Sequence, residues 1–279
     1  MPIHDQGYRR YSGGRDARGQ AWLVIARAGV RTLLSRRLFL GLLLLSWGPF
    51  VFEAVKVYLT TNFAQLSMFA PTAQTFRAFL EHQEIFVFFI AIYAGAGLIA
   101  NDRRANALQI YLSKPLTRLE YIAGKAATLA VFLLLVTWVP AMLLLVVQVL
   151  FAGNFAFVQK NGFLFPAVTV YAFLQVAVAT FTMLALSSIS KSARFVGIMY
   201  AGLIFFTGSI FAMLKYLVRA SGASLISPTQ SLAQLGDVIF RVPPRHETPF
   251  VLSLIVVAVL LAVSALILER RIRGVEVVA

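Results

Sequence analysis

Residues 101–125, NDRRANALQIYLSKPLTRLEYIAGK, form a charged and punctuated stretch between two long apolar runs. Asp102, Arg103 and Arg104 close the first run. An amphipathic pattern through Leu108, Tyr111 and Leu112 follows, until Ser113-Lys114-Pro115 breaks it, because proline has no backbone N–H with which to continue a helix. Thr117 and Glu120 then stand at the spacing of a capping box, in which the hydroxyl and the carboxylate each accept a backbone N–H at a new helix start. The chain thus leaves an apolar medium, makes a short helix, turns and goes back in. A structured basic elbow of this size suits docking to a partner better than it suits mere connection.

Composition identifies the medium. Of the 279 residues, 59% are hydrophobic and only 13% charged, too little polar surface to cover a water-soluble globule. The predicted fold class is therefore an all-α integral membrane protein. Crossing about 30 Å of hydrocarbon takes about 20 apolar residues, and runs of that order fall near 38–59, 84–100, 124–151, 163–190, 194–217 and 249–268. Six transmembrane helices are predicted, the third and fourth long enough to tilt or to project beyond the bilayer.

The net charge of +14 raises the question of a nucleic-acid partner, and the distribution of charge answers it. An even number of spans puts both termini on one side. That side collects 18 of the 25 basic residues, from the chain before residue 38, the 101–125 elbow, 191–194 and 270–273. By the positive-inside rule this side is cytoplasmic. The seven other cations face five acids, Glu53, Glu81, Glu84, Asp237 and Glu247, so the outer side is nearly neutral. The basicity thus reports orientation in a lipid bilayer, with no nucleic-acid partner. With no cysteine, the chain has neither a disulfide nor a thiolate metal site.

Residues 1–19 mix Gly, Arg and small polar residues without apolar periodicity and read as a flexible basic tail. Residues 20–279 form the transmembrane domain, starting with an interfacial helix over 20–37. There Trp22, Ile25, Ala26, Val30 and Leu33 recur at helical spacing while Arg27 and Arg31 lie on another face. The first long apolar run begins only near residue 38, so the first span is expected to be retained rather than cleaved as a signal peptide. Between spans 1 and 2, Pro71 and TAQTFRAFLEHQ predict a short surface helix. Between spans 5 and 6, SLAQLGDVIF is apolar enough to lean on the membrane, and Val242-Pro243-Pro244 stiffens the return. Pro140 predicts a kink in span 3 and Pro166 a helix start in span 4.

Catalytic chemistry has no visible foothold. A P-loop needs GxxxxGK followed by Ser or Thr, whereas Gly124-Lys125 is followed by Ala126 and lacks the upstream glycine. His4, His82 and His246 are scattered, without partners for a metal or hydrolase site. No catalytic, cofactor or metal residues are assigned. Polar residues within the spans are few. Glu53 lies one helical turn from Lys56 and reads as an outer-rim pair or as a pathway contact. Gln148, Gln175 and Thr180, with Thr182 close by, either line a pathway or hydrogen-bond between helices. Ala91 and Gly95 give a small-xxx-small spacing in span 2.

The elbow and the span before it resemble the permeases of the ABC-2 type. The matching parts are YAGAGLIA in span 2, an acid-led helix at Asp102, the turn Leu112-Ser113-Lys114-Pro115-Leu116-Thr117-Arg118, and Gly124-Lys125 at the next span. Asp102 stands where Glu is commoner, and Ala107-Leu108 replaces a Gly-Thr-Leu. The outline of interfacial helix, six spans, elbow and outer segment extends the resemblance over nearly the whole chain.

The resemblance implies the membrane half of an ATP-driven exporter in a bacterial or archaeal cell membrane. A second permease copy or paralogue would complete the pathway, and separate cytoplasmic nucleotide-binding ATPase subunits would hold ATP and Mg, with no cofactor in this chain. The elbow would be the cytoplasmic coupling helix, with Asp102, Arg103, Arg104, Leu108, Leu112, Lys114, Pro115 and Arg118 at the ATPase junction. The alternative is a stand-alone channel or an ion-coupled secondary transporter.

Overall fold

Backbone N–H and C=O groups in hydrocarbon must be satisfied within the chain, which leaves helices as the means of crossing. The structure, a computed structural model, describes residues 20–63, 71–107, 116–152, 156–218 and 222–272. Among these residues every regular element is helical. Six helical rods are long and apolar enough to cross a membrane: Arg37–Asn62, Ala73–Arg104, Arg118–Phe151, Leu164–Ile189, Ala193–Val218 and Phe250–Arg271, numbered here as spans 1 to 6. A separate helix, Ala21–Leu34, precedes them. The ends formed by Arg37, Arg104, Arg118, Ile189, Ala193 and Arg271 gather at one side, called here the basic end.

Span 4 is the axis of the bundle. In its most apolar stretch 61% of residues are buried, against 17% in span 1 and 22% in each of spans 5 and 6, so those three turn much of their apolar surface outward. Phe39, Ile90, Phe132, Met183 and Tyr200 join one core in the half nearer the basic end. Val57, Phe79, Leu145, Tyr171, Leu235 and Val257 join another in the opposite half. A smaller cluster of Ile99, Tyr121, Leu184 and Leu268 seals the basic end.

Three rods are interrupted, each for an identifiable reason. In span 1 the helix stops at Ser46-Trp47 and restarts at Gly48, with Pro49 in its first turn, where a missing N–H costs nothing. The freed Ser46 carbonyl accepts a hydrogen bond of 3.1 Å from Gln83 Nε2, and Gln83 itself marks the break between Ala73–His82 and Glu84–Ile90 in span 2. Span 3 breaks at Thr137, one turn before Pro140, whose ring cannot donate back to Val136. Pro166 falls in the first turn of span 4.

Two sequence expectations change. The surface helix expected over 71–83 is the part of span 2 farthest from the basic end; the 32 residues of that span would reach about 48 Å, more than the hydrocarbon needs. Phe76, Phe79 and Leu80 recur at helical spacing and are fully buried, so the polar average of this stretch hid an inward face. The segment expected to lean on the membrane is a helix, Pro228–Ile239, lodged in the end of the bundle opposite the basic end and called here the outer helix, with Leu232, Leu235 and even Gln234 and Asp237 buried.

Gly124 shows how the first helix is held. A Cβ there would lie 2.8 Å from the Trp22 carbonyl oxygen and 2.7 Å from Ile25 Cβ, so the first helix lies directly on span 3. Gly124→Leu should therefore push that helix away, at about 1–3 kcal/mol of overpacking. Limited trypsin digestion, with Arg27 and Arg31 as its cleavage sites, should become faster; an unchanged rate would contradict this packing.

Candidate functional site

At the basic end, span 2 is clamped to spans 3 and 4 by polar contacts that follow from helix geometry. Its π-helical turn, Ala91–Gly95, ends the regular ladder, and α-helix restarts at Gly97, so the next backbone N–H groups lack ordinary partners. Ser187 of span 4 supplies one: its Oγ accepts from the Ile99 and Ala100 N–H groups at 3.1 and 3.0 Å and donates to the Ala96 carbonyl at 2.8 Å. Arg103 donates to the Ser188 carbonyl, one of the orphan acceptors at the end of span 4.

Asp102 ties the elbow across its base. Its Oδ2 accepts from Lys125 Nζ at 2.7 Å and from the Tyr121 hydroxyl at 2.7 Å. Tyr121 and Lys125 are four apart and so share one face of span 3. That spacing was the available sequence signal for the contact. The capping box forms as the sequence predicts: Glu120 N–H donates to Thr117 Oγ1 at 3.2 Å, and Thr117 N–H donates to Glu120 Oε2 at 2.9 Å. Arg104 and Arg118 are exposed. Leu108, Leu112, Lys114 and Pro115 lie outside the described residues. A cavity of about 610 Å³ opens beside the clamp, bordered by Arg36, Asp102, Lys125 and Arg194.

The opposite end carries a charge cluster that spacing did not suggest, since its members are up to 168 positions apart. Arg77, 2% exposed, donates through Nε to Asp237 Oδ1 at 3.1 Å and through Nη2 to the Ala233 carbonyl at 2.9 Å. Arg245 bonds Asp237 Oδ2 at 2.8 Å and forks onto Glu81 at 2.6 and 2.9 Å. Arg77 also lies over the Tyr171 ring, 4.9 Å from its centroid. A Cβ on Gly236 would sit 2.5 Å from Arg77 Nε, so only glycine lets the outer helix approach this closely. The hydrogen bond from Arg245 to Glu81 holds its guanidinium pKa above the ordinary value. Burial, aided by the charges of Lys215 and Arg245, lowers that of His246, which shares a hydrogen bond of 3.1 Å with Gln230.

The pathway candidates are not brought together. Glu53 pairs with Lys56 at 3.2 Å. Gln148 and Thr180 are buried, with Gln148 Oε1 and Thr180 Oγ1 lacking hydrogen-bond partners among the described residues. Gln175 alone of the four lines a cavity of about 320 Å³ between spans 2, 4 and 5 and the outer helix. The same cavity holds Glu84, Thr182 and Tyr200. Glu84 was counted with the outer charges because it falls at the edge of an apolar run; within the longer rod it faces the bundle. Among the described residues no group of three or more metal-ligating side chains occurs.

A family model described as ABC-2 family transporter protein matches residues 23–271. No curated protein matches the chain. The matched region starts inside the first helix and runs to the last residue of span 6, taking in all six spans, the clamped elbow and the outer helix. The chain therefore belongs to the ABC-2 family of transporter proteins and is a membrane permease of an ABC transporter.

Proposed function

We propose that the chain supplies half of an export pathway, completed by a second permease copy or paralogue, and that cytoplasmic ATPase subunits dock on the elbow at its basic end. The observation that carries this reading is the clamp. Asp102 bonded to Tyr121 and Lys125, with Arg103 bonded to the end of span 4, makes the base of the elbow one body with three spans. Closure of docked ATPase subunits shifts a membrane equilibrium only through an element that interacts differently with them in the two states. An elbow rigidly joined to spans 2, 3 and 4 meets that need, while exposed Arg104 and Arg118 offer charge to the partner. ATP and Mg belong to the partner, and this chain contributes no residue to their chemistry.

Transport into proteoliposomes should require ATP and partner ATPase subunits. Transport driven by an ion gradient without ATP would contradict the proposal and favour a secondary transporter.

Orientation is testable without background, because the chain has no native cysteine. With both termini cytoplasmic in a cell membrane, cysteines placed at Ser12 and Gly274 should react from the inner side and one at Ser221 from the outer side. Labelling of Ser12→Cys and Ser221→Cys from the same side would overturn the topology.

A further inference from the structure

We propose that the cavity between spans 2, 4 and 5 binds amphiphiles carrying a protonated primary amine, with the Glu84 carboxylate taking the ammonium and Gln175 accepting one of its N–H hydrogens. As a substrate site this rests on the proposed permease function, while the binding itself requires no ATPase.

Charge points to a cation. In the neighbouring cluster two guanidiniums, Arg77 and Arg245, are matched by two carboxylates, Glu81 and Asp237. Glu84 is the acid left over. Its one hydrogen bond among the described residues comes from the Tyr171 hydroxyl at 3.5 Å, and no cation pairs with it there. The outer helix presents its first turn, Pro228 and Thr229, to the same cavity. That end contributes about half a positive charge, less than the full negative charge of the carboxylate.

Unmet hydrogen bonding points to a donor. Gln175 Oε1 and Thr182 Oγ1 have no partner among the described residues, although the two residues are only 2% and 5% exposed and both line the cavity, Thr182 two helical turns deeper beside the ligand's body. Gln175 spends its amide nitrogen on the Leu80 carbonyl at 3.4 Å, which leaves its oxygen for a ligand. Buried acceptors without donors are costly, and an amine N–H supplies what is missing.

The walls define the rest of the ligand. Phe88 and Tyr200 line the cavity with their rings stacked at 5.8 Å, and Leu203 and Ile204 continue the apolar surface. Aromatic faces favour a nearby ammonium as well as an apolar body. A volume of about 320 Å³ lies at the small end of ligand pockets, enough for an amine with one compact apolar body and too small for a two-chain lipid. Glu84 stands 18 residues before Asp102 along span 2, or about 27 Å of helix, which puts the carboxylate near the outer boundary of the hydrocarbon. An amphiphile there keeps its charged head near the interface and its rings in the bundle.

The test uses the purified full chain in phosphatidylcholine nanodiscs, with radiolabelled 2-(diphenylmethoxy)ethylamine, a protonated primary amine on two phenyl rings, as probe. The unlabelled amine should displace it saturably, and the ethyl ether of benzhydrol, which keeps both rings and lacks the amine, should compete about tenfold less well or worse. Glu84→Gln should weaken binding by about tenfold or more, with Glu84→Asp recovering part of the loss, while Gln175→Leu should weaken it several-fold. Thermal midpoints report whether each variant is folded, and the comparison of amine with neutral ether on the unmodified chain decides the matter even where a variant is not. Absence of saturable binding to the unmodified chain, equal competition by the neutral ether, or unchanged affinity in folded Glu84→Gln would each overturn the inference. Because the ATPase is absent, loss of ATPase docking in a separate assay would leave this result standing, and the reverse holds equally.

Discussion

Asp237→Ala is expected to destabilise the protein by about 3–5 kcal/mol, the cost of leaving a buried charge without its partner. Asp237 is 1% exposed and binds two guanidiniums, and Arg77 is 2% exposed, with its Nε turned to that carboxylate. The contact joins the outer helix to span 2, so its loss should free the whole segment between spans 5 and 6. The thermal midpoint of the variant in detergent should fall well below that of the unmodified chain. A double change, Arg77→Met with Asp237→Leu, removes both charges and should recover much of the loss, since a buried ion pair often contributes little over apolar residues of similar volume. An unchanged midpoint for Asp237→Ala would show that the outer helix is held by contacts other than this carboxylate.

The contrast between this cluster and the six spans shows what a sequence displays. Spans are local: twenty apolar residues in a row signal their own burial, and span 4 from Leu164 to Ile189 differs from its reading by a residue at each end. The capping box is local as well, with Thr117 and Glu120 three positions apart. The ion pair of Arg77 with Asp237 joins residues 160 positions apart, and no periodicity relates them. Read singly, both were counted among the charges of the outer side, Arg77 in a short surface helix and Asp237 in a segment leaning on the membrane. The same holds for Glu84, whose place at the edge of an apolar run gave no sign that it faces Gln175 and Thr182 across a cavity. At the elbow, Asp102, Arg103, Arg104 and Arg118 stood out as charges between two apolar runs, but the clamp itself was not legible, because Ser187 and Ser188 look like ordinary small residues at a helix end.

Charge reversal of the exposed pair, Arg104→Glu with Arg118→Glu, should detach the ATPase without unfolding the permease. Each exposed ion pair contributes up to about 1 kcal/mol, and reversal replaces attraction by comparable repulsion, so the two together should weaken docking by roughly 1–4 kcal/mol, about fivefold to nearly a thousandfold. Arg103 is left unchanged in this variant because its bond to Ser188 holds spans 2 and 4 together. Pro115→Ala should act differently. It restores a backbone N–H at the helix break expected from the sequence, so docking should persist while ATP hydrolysis outpaces transport.

The amount of ATPase retained on affinity-purified permease, compared between the unmodified chain and the Arg104→Glu/Arg118→Glu variant at matched thermal midpoints, tests the central claim most directly. The elbow account predicts that the unmodified chain carries its ATPase through purification and that the variant loses most of it. Full retention by the variant, with ATP-coupled transport intact, would contradict it.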